Sequence, residues 1–525
     1  MSARRVIGAA RRRLAHQGGF SLVAVMLMMF GVTAVFAASY SAANGDIPLT
    51  GGDSARKDAY AAAEAGVNYY LYHLTQDNAY WTYCTNVPAP GPGQPNPVND
   101  IWDGRGNDPR TWRKVPGTKN EYTIELLPAN GSGYAKCNQA NASQSMLDPT
   151  NGSFRIRATG RSRGKKRSIV ATFRRKAFLD YLYFTDYETL DPVVYQTSDP
   201  TQQAQMAAQC TKYRRAGRPE PPCSRITFAS ADGLLGPFHT NDDIMVCGSP
   251  QFGRTAGDKI EVSGPAPGWQ PNGCSASPNF VGTYKSSSPV LAMPQSNNAL
   301  KGVATSQYTF TGTTTIQLNG SSMLVTNLAK GLNRSSMPLP SNGVVYVQNG
   351  ICGVGYALYQ DYNDPAGCAD LWVQGSYSSS LTLASENDII VNGNLTKSGN
   401  VTLGLIPNNF VRIYHPVTNR NGNACTNAAG APTNVTIDAA ILSLAHSFIV
   451  DNYFCGAPLG TLTVRGAIAQ RFRGPVGTGG TNVATGYAKS YSYDDRLKYT
   501  NPPHFLSPVQ APWDLMRFTE QTPPR

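Results

Sequence analysis

A long apolar run stands near the start of the chain. It extends from Phe20 to Ala38 without a charged residue. Nineteen residues of α-helix span roughly 28 Å, close to the thickness of a bilayer core. Basic residues flanking such a helix stay on the cytoplasmic side, and five precede it here: Arg4, Arg5, Arg11, Arg12 and Arg13.

This pattern predicts a basic leader over 1–19 and a transmembrane helix over 20–39. The expected localisation is a single-pass membrane protein with an extracytoplasmic C-terminal region, at the cell surface or in a filament after assembly. A secretory signal cleaved near Ala38 and a plain signal anchor are the alternatives.

A second helical pattern begins at Asp53. Small and apolar residues recur at helical spacing at Ala59, Ala62, Gly66 and Leu74. Glycine and proline over 44–52 should interrupt the chain between the two helices.

Strand patterns follow the second helix. Phe154–Ala158 alternates apolar and basic residues, and Ser168–Phe173 follows after a glycine-containing turn, which predicts a β-hairpin packed on the helix. The Pro/Gly-rich stretch 85–117 is interpreted as an insertion. Together these elements predict a small α/β domain over 53–185.

From about residue 225 short apolar strands recur behind polar turn residues. Aligning the last four of them gives offsets of 22, 37 and 24 residues, a spacing that favours coils of a parallel β-solenoid over 225–500, with a β-sandwich as the alternative. A Pro-rich tail over 501–525 completes the chain, and the expected fold class is α+β. The aligned strands are Phe238–Ile244, Leu383–Ile389, Leu405–Val411, Leu442–Phe448 and Gly466–Phe472.

Composition supports an exported, β-rich chain. Charged residues make up only 15%, whereas Gly (51) and Pro (37) are abundant. The ten cysteines all follow the apolar run, and their even number favours disulfides. Pairing in sequence order would join Cys84 with Cys137, Cys210 with Cys223, Cys247 with Cys274, Cys352 with Cys368, and Cys425 with Cys455.

Three sequence features resemble type IV pilins and related pilin-like proteins. Gly19-Phe20 behind the basic leader resembles the class III signal of these proteins, and Ala59–Val67 resembles the AAEAG segment of PilX-like minor pilins. The ending Gly486–Leu497 resembles the C-terminal part of large pilin-like surface proteins.

The resemblance implies cleavage by a prepilin peptidase after Gly19, methylation of Phe20, and filament assembly through a helix that includes Phe20, Leu22 and Ala24. Major pilins carry glutamate at the position of Ala24, so this departure indicates a minor subunit.

Basic residues crowd the predicted hairpin. A functional interpretation is an anion-binding surface for DNA or a cell-wall polymer, and the alternative, which we favour, is a solvated sheet face. The residues concerned are Arg155, Arg157, Arg161, Arg163, Lys165, Lys166 and Arg167.

Carboxylates provide the strongest case for an enzyme. Asp243 and Asp388 occupy the same step of the repeat, beside Asp242 and Glu386, and parallel β-helices do host glycosidases with paired acids. Such residues are also ordinary turn formers, and we favour that interpretation. The C-terminal tyrosines (Tyr487, Tyr491, Tyr493, Tyr499) could bind sugar or pack the last coil.

The sequence therefore predicts a non-enzymatic, pilin-like structural subunit that displays an extracellular β-domain for assembly or adhesion. The alternatives are a membrane-anchored carbohydrate-active enzyme and a DNA-capturing pseudopilin. The expected partners are the membrane, other pilin-like subunits and a prepilin peptidase. Surface polysaccharide is a further candidate partner, and nucleic acid is the least favoured. The six histidines show no metal-binding spacing, and no cofactor is expected.

Overall fold

The computed structural model describes most of the chain. The described residues are 22–77, 80–82, 101–102, 112–127, 147–148, 152–195, 200–353, 355–421, 424–479, 483–509 and 511–524. Side chains at 22–25, 41–50, 82, 101–102, 200, 420–421 and 424 lie outside this description. Within it, strands predominate and three α-helices occur.

The longest helix, α1, runs from Leu22 to Gln76. The predicted interruption over 44–52 is wrong, because the helix is continuous through these residues. Its second half buries one face, which carries the small and apolar residues that recur at helical spacing. The fully buried members are Ala59, Ala63, Val67, Tyr70 and Leu74.

The described part of the chain contains no helix with both the length and the apolar character required to cross a membrane. The predicted transmembrane helix over 20–39 and the single-pass membrane localisation are therefore corrected.

A small sheet packs on α1. Its first five strands pair in the order β1-β3-β4-β5, with β2 beside β3, and all pairings except β1 with β3 are antiparallel. The strands are β1 (Ile101–Trp102), β2 (Arg113–Lys114), β3 (Glu121–Leu127), β4 (Ser153–Ser162) and β5 (Lys165–Arg175). The predicted hairpin is confirmed as β4 and β5.

The chain then enters a second, much larger sheet region and coils in one direction. After β6 (Tyr183–Leu190) and helix α2 (Pro200–Cys210), each coil contributes three strands, and equivalent strands of successive coils pair in parallel. The coils are β7 (Thr227–Ala229), β8 (Gly233–Leu235) and β9 (Phe238–Thr240); β10 (Ile244–Gly248), β11 (Gln251–Phe252) and β12 (Lys259–Val262); β13 (Trp269–Ala276), β14 (Asn279–Phe280) and β15 (Thr283–Lys285).

A connecting segment that contains the one-turn helix α3 (Asn298–Lys301) packs across the outer surface of this region. Asn297 fixes it there by donating from Nδ2 to the carbonyl oxygens of Ser385 and Ile406, each at 2.7 Å. Leu291, Met293 and Leu300 bury themselves against the strands beneath. The segment joins the last coil of the first run to the first strand of the second.

The second run starts with β16 (Thr309–Thr311) and an antiparallel meander of β17 (Thr314–Gly320), β18 (Ser322–Asn327) and β19 (Leu332–Pro338). Most of the remaining strands stack in parallel on these. They are β20 (Val344–Gln348), β21 (Leu371–Tyr377), β22 (Leu381–Ser385), β23 (Ile389–Lys397), β24 (Leu403–Pro407), β25 (Val411–Ile413), β26 (Val417–Asn421), β27 (Ala424–Asn427), β28 (Thr436–Ile437), β29 (Ala440–Ser443), β30 (Phe448–Val450), β31 (Pro458–Arg473), β32 (Gly477–Gly479) and β33 (Val483–Tyr493).

Most strands of the two runs, together with β6, join into one continuous sheet of 23 strands, called the coiled sheet below. β7, β10 and β13 form a separate three-stranded sheet, and β26 and β27 form a two-stranded one. β31 pairs with β6, and β33 pairs with β8, so the end of the second run lies on the start of the first. One inward-facing ladder passes through the join, from Leu383 to Leu405, Ile441, Ile468 and Tyr183. These side chains belong to the main apolar core.

The last strand, β34 (Trp513–Gln521), returns to the small sheet and pairs antiparallel with β5. It lies in the segment that the sequence predicts as a Pro-rich tail. The Trp513 ring packs 4.7 Å from that of Phe154, and Lys259 of the coiled sheet contacts the Asp514 carboxylate at 2.5 Å.

The expected α+β class, with a transmembrane helix followed by separate domains, is wrong. Strands dominate the described residues, and most of these strands belong to the coiled sheet. The physical reason is that the apolar strands bury one another by stacking, so helices are not needed to cover them. The antiparallel sandwich is excluded by the parallel registers between successive coils.

Four of the five predicted disulfides are present. They join Cys210 with Cys223, Cys247 with Cys274, Cys352 with Cys368, and Cys425 with Cys455. Each closes a loop next to the coiled sheet and restricts the unfolded chain. Cys84 and Cys137 lie outside the described residues.

Candidate assembly site

The first half of α1 exposes large apolar side chains on every side. From Met26 to Tyr40 every described side chain is exposed, and Phe30 and Phe36 are 72% and 71% accessible. A helix that is apolar all round is normally surrounded by other apolar groups. This stretch is called the assembly helix below.

The residues predicted for cleavage and filament assembly lie at the start of the described residues or outside them. Gly19 and Phe20 are outside the described residues. Leu22 and Ala24 belong to α1, although only their backbone is described.

Small residues let the second half of α1 approach the sheet very closely. A Cβ atom added at Gly160 of β4 would overlap the carbonyl oxygen of Ala59 and lie 2.5 Å from the backbone nitrogen of Ala63. At Gly66 an added Cβ would lie 2.9 Å from the Tyr122 ring. The alanine- and glycine-rich segment is therefore a packing surface that holds the helix against β3 and β4.

Aromatic side chains complete this junction. The Tyr70 ring lies 5.8 Å from Phe173 and 6.0 Å from Phe154. Complete burial raises the pKa of the Tyr70 phenol. The base of α1 is thus fixed while its first half projects freely.

The basic hairpin is largely neutralised by acids from other elements. Arg157 pairs with Glu125 on β3 and also donates to Gln521 on β34. Arg161 pairs with Glu121 at 2.6 Å, and Arg167 pairs with Glu520.

The turn of the hairpin keeps an exposed charge. Arg163 lies 3.4 Å from Asp58 of α1, with 65% of its side chain accessible. Lys165 and Lys166 are exposed beside it, whereas Arg155 is half-buried in β4.

An aromatic ring also lies at this turn. The Arg161 guanidinium stacks 4.1 Å from the centroid of Trp112, and the Lys166 ammonium lies 5.9 Å from the same ring. Sequence patterns did not indicate this contact, because Trp112 precedes β2 and lies far from the hairpin in the chain.

Asp242 and Glu386 belong to separate structural networks. Asp242 is buried and ion-paired with Arg218. Glu386 accepts from the backbone nitrogen of Asn349 at 2.8 Å and contacts Lys301 at 3.3 Å. Asp243 is 5% exposed, and burial raises its pKa.

Asp388 belongs to a buried cluster that the sequence did not reveal. Arg412 is fully buried and pairs with Asp388 at 3.1 Å and with Asp451 at 3.0 Å. Phenols from the loop closed by Cys352 and Cys368 cover this cluster: Tyr356 donates to Asp388, and Tyr362 donates to Asp451.

Asp370 lies at the edge of the same cluster. Its Oδ1 accepts from Asn387 at 2.6 Å, while its buried Oδ2 has no hydrogen-bond partner. The pKa of Asp370 is raised to about 8, mainly by burial and to a smaller extent by the negative charge of Asp388. Within the described residues, no three or more His, Cys, Asp or Glu side chains are arranged to hold a metal ion.

Comparison with solved structures gives three matching chains, among them a pilin. No model of a known protein family matches this chain, and no curated protein matches it either. The crystal structure of the competence-associated pilin ComZ from Thermus thermophilus is similar over 89% of this chain and 97% of that chain, with 13% sequence identity and a TM-score of 0.31.

This neighbour is a pilin, but the identity and TM-score are too low to establish a shared fold or function. None of these findings supports a relationship to PilX-like proteins in particular. The case for a pilin-like role therefore rests on the sequence resemblance and on the geometry of α1.

The C-terminal tyrosines are mostly structural. Tyr487, Tyr491 and Tyr493 are 1%, 4% and 6% exposed and belong to the apolar core. Tyr499, at 74%, is exposed. A sugar-binding surface made of this whole set is therefore ruled out by burial.

Proposed function

We propose that this chain is a pilin-like subunit that joins a filament through its assembly helix. The observation that supports this best is the contrast along α1: its base is buried against the small sheet, whereas Met26–Tyr40 exposes apolar side chains all round. The Gly19-Phe20 motif supports the same proposal from the sequence.

Burial of the assembly helix would supply a large driving force. Its exposed side chains include Met29, Phe30 and Phe36, and burying one such side chain contributes about 1.5–3 kcal/mol. The whole stretch could contribute on the order of 10 kcal/mol before the costs of association. A flat partner would cover only one side, so the occupant we propose is a bundle of equivalent helices from other pilin-like subunits.

Two finer features belong to the proposal. Cleavage after Gly19 by a prepilin peptidase would create the mature end of the helix, and Ala24 in place of the glutamate of major pilins favours a minor subunit. The coiled sheet would then be the displayed part.

Filament incorporation tests the proposal directly. Phe36→Asp places a charge in the assembly helix, and we expect the chain to disappear from filaments sheared from cells. Tyr72→Asp is a matched control, because Tyr72 is 59% exposed on the packed half of the same helix. Recovery of both variants in filaments at the wild-type level would refute the assembly role.

The Trp112 contact favours DNA capture as a second candidate function. Basic side chains next to an aromatic ring form the usual surface for single-stranded nucleic acid, and Trp112 with Arg161, Lys165 and Lys166 offers one. Fluorescence anisotropy with a labelled oligo(dT) should show binding that weakens with salt and is lost in Trp112→Ala. Equal binding by Trp112→Ala and wild type would exclude DNA capture at this surface.

No observation favours an enzyme. Asp388 is engaged by Arg412 and Tyr356, and Asp242 by Arg218. That the chain has no catalytic activity remains a prediction from the sequence.

A further inference from the structure

Three aromatic side chains form a cluster on the outer surface of the coiled sheet. The ring centroids of Tyr362 lie 5.5 Å from Trp372 and 4.7 Å from Tyr414, and those of Trp372 and Tyr414 are 5.4 Å apart. Each of the three is half-buried. Trp372 faces outward because its neighbours in β21, Leu371 and Val373, face the core.

The cluster is held rigidly. The Tyr362 hydroxyl donates to Asp451 at 3.0 Å and accepts from the backbone nitrogen of His415 at 2.8 Å. The Arg412 guanidinium lies 5.5 Å from its ring centroid. Tyr362 also has a φ of 62°, an unfavourable backbone conformation for a bulky residue that the surrounding contacts maintain.

Amide side chains border the rings. Gln374 lies on the same face of β21 as Trp372, and it extends over Gly393, where an added Cβ would overlap it. Tyr414 follows β25, and its backbone nitrogen donates to Val391, which places it beside Asn392. The Asn392 Oδ1 atom is buried without a hydrogen-bond partner.

We propose that Trp372, with the rings of Tyr414 and Tyr362 packed against it at 65° and 57°, forms a stacking platform for a neutral polysaccharide of β-linked pyranoses. Such sugars present a flat face of C–H groups that packs on aromatic rings, and a rim of hydroxyls that pairs with an amide such as Gln374.

The local charge selects the class of sugar. Arg412, the cation next to the Tyr362 ring, is fully buried and already paired with Asp388 and Asp451. The charged group exposed next to Tyr362 in the chain is Asp361, which would repel an acidic polymer. A neutral glycan therefore fits this surface better than a uronic acid polymer or a nucleic acid.

Affinity electrophoresis of the full chain tests the platform, with hydroxyethylcellulose, glycol chitin or polygalacturonate in the gel. We expect retardation by at least one of the two neutral polymers, and any retardation by polygalacturonate should be unchanged in Trp372→Ala. Trp372→Ala and Tyr414→Ala should each weaken binding about tenfold, corresponding to the loss of one stacking contact. Tyr414→Phe should retain binding, because it keeps the ring.

Controls separate binding from folding. Tyr499→Ala removes an exposed tyrosine elsewhere and should migrate like wild type. If Trp372→Ala unfolds, Gln374→Ala tests the proposal instead, because it removes only a bordering amide. This variant should weaken retardation several-fold. Absence of retardation by both neutral polymers, or unchanged retardation of the folded variants, would overturn the proposal. Filament incorporation is a separate measurement, so failure here leaves the assembly role standing.

Discussion

Gly160 offers a stringent test of how α1 is held against the small sheet. It lies in β4, opposite Tyr122 of β3 and Arg167 of β5. In Gly160→Ala the new Cβ would overlap the carbonyl oxygen of Ala59 and lie 2.5 Å from the Ala63 nitrogen. These are backbone atoms of a helix, so they cannot rotate away as the end of a flexible side chain could.

The size of the effect follows from this geometry. Restoring an ordinary contact of 3.4 Å to the Ala63 nitrogen requires the helix to move by at least about 0.9 Å. Such a movement loosens the packing of Val67 and Tyr70 on the sheet. Overpacking costs typically 1–3 kcal/mol, and because two backbone segments collide we expect about 3 kcal/mol.

Urea unfolding followed by far-ultraviolet circular dichroism measures this loss. The transition that reports α1 should move to lower urea, while the transition of the coiled sheet should stay in place. Gly302→Ala is the matched control, because its φ of −70° suits alanine and its nearest neighbour, the Ala299 oxygen, is 3.7 Å away. Equal stability of the two variants would refute the proposed close packing.

Two further predictions concern other parts of the fold. The pKa of the Asp370 carboxyl is raised from 3.8 to about 8. Between pH 3.8 and about pH 8 this group is therefore protonated in the folded chain and ionised in the unfolded chain. The free energy of unfolding should fall as the pH rises through this range. Asp370→Asn should remove this fall and be about 1–3 kcal/mol more stable than wild type at pH 9 in urea titrations; parallel pH curves would contradict the assignment. Deleting residues 511–525 removes β34 and the Trp513 packing, so limited trypsin digestion should cut α1 at Arg56 and Lys57 while the coiled sheet resists. A truncated chain whose α1 is as protected as in wild type would show that β34 is dispensable.

Local patterns predicted local structure well. The alternation at Phe154–Ala158 and Ser168–Phe173 did form a hairpin, and Leu383 aligns with Leu405 as the repeat indicated. The alignment then slips, because Leu405 pairs with Ile441 instead of Leu442. Two extra strands, β26 and β27, form a hairpin between them, and an insertion of this kind removes the information that spacing carries.

Contacts between distant parts of the chain could not be predicted. Arg167 is neutralised by Glu520, and Arg157 by Glu125. Periodicity shows which side chains face outward but does not show which element covers them. The same reason hid the Arg412 cluster, whose acids come from separate coils and whose cover comes from a disulfide-closed loop.

The order of the strands places the whole coiled sheet between two paired strands of the small sheet that supports α1. The second run of coils ends with β31 and β33 lying on β6 and β8, next to the point where the chain left the small sheet. This return brings β34 back to β5. The coiled sheet is therefore inserted within the small sheet, between β5 and β34. Since β34 follows the coiled sheet in the chain, it can pair with β5 only after the whole coiled sheet has been made. A chain that stops early would keep α1 but lack the strand bearing Trp513, so the support of the assembly helix depends on completion of the region it displays.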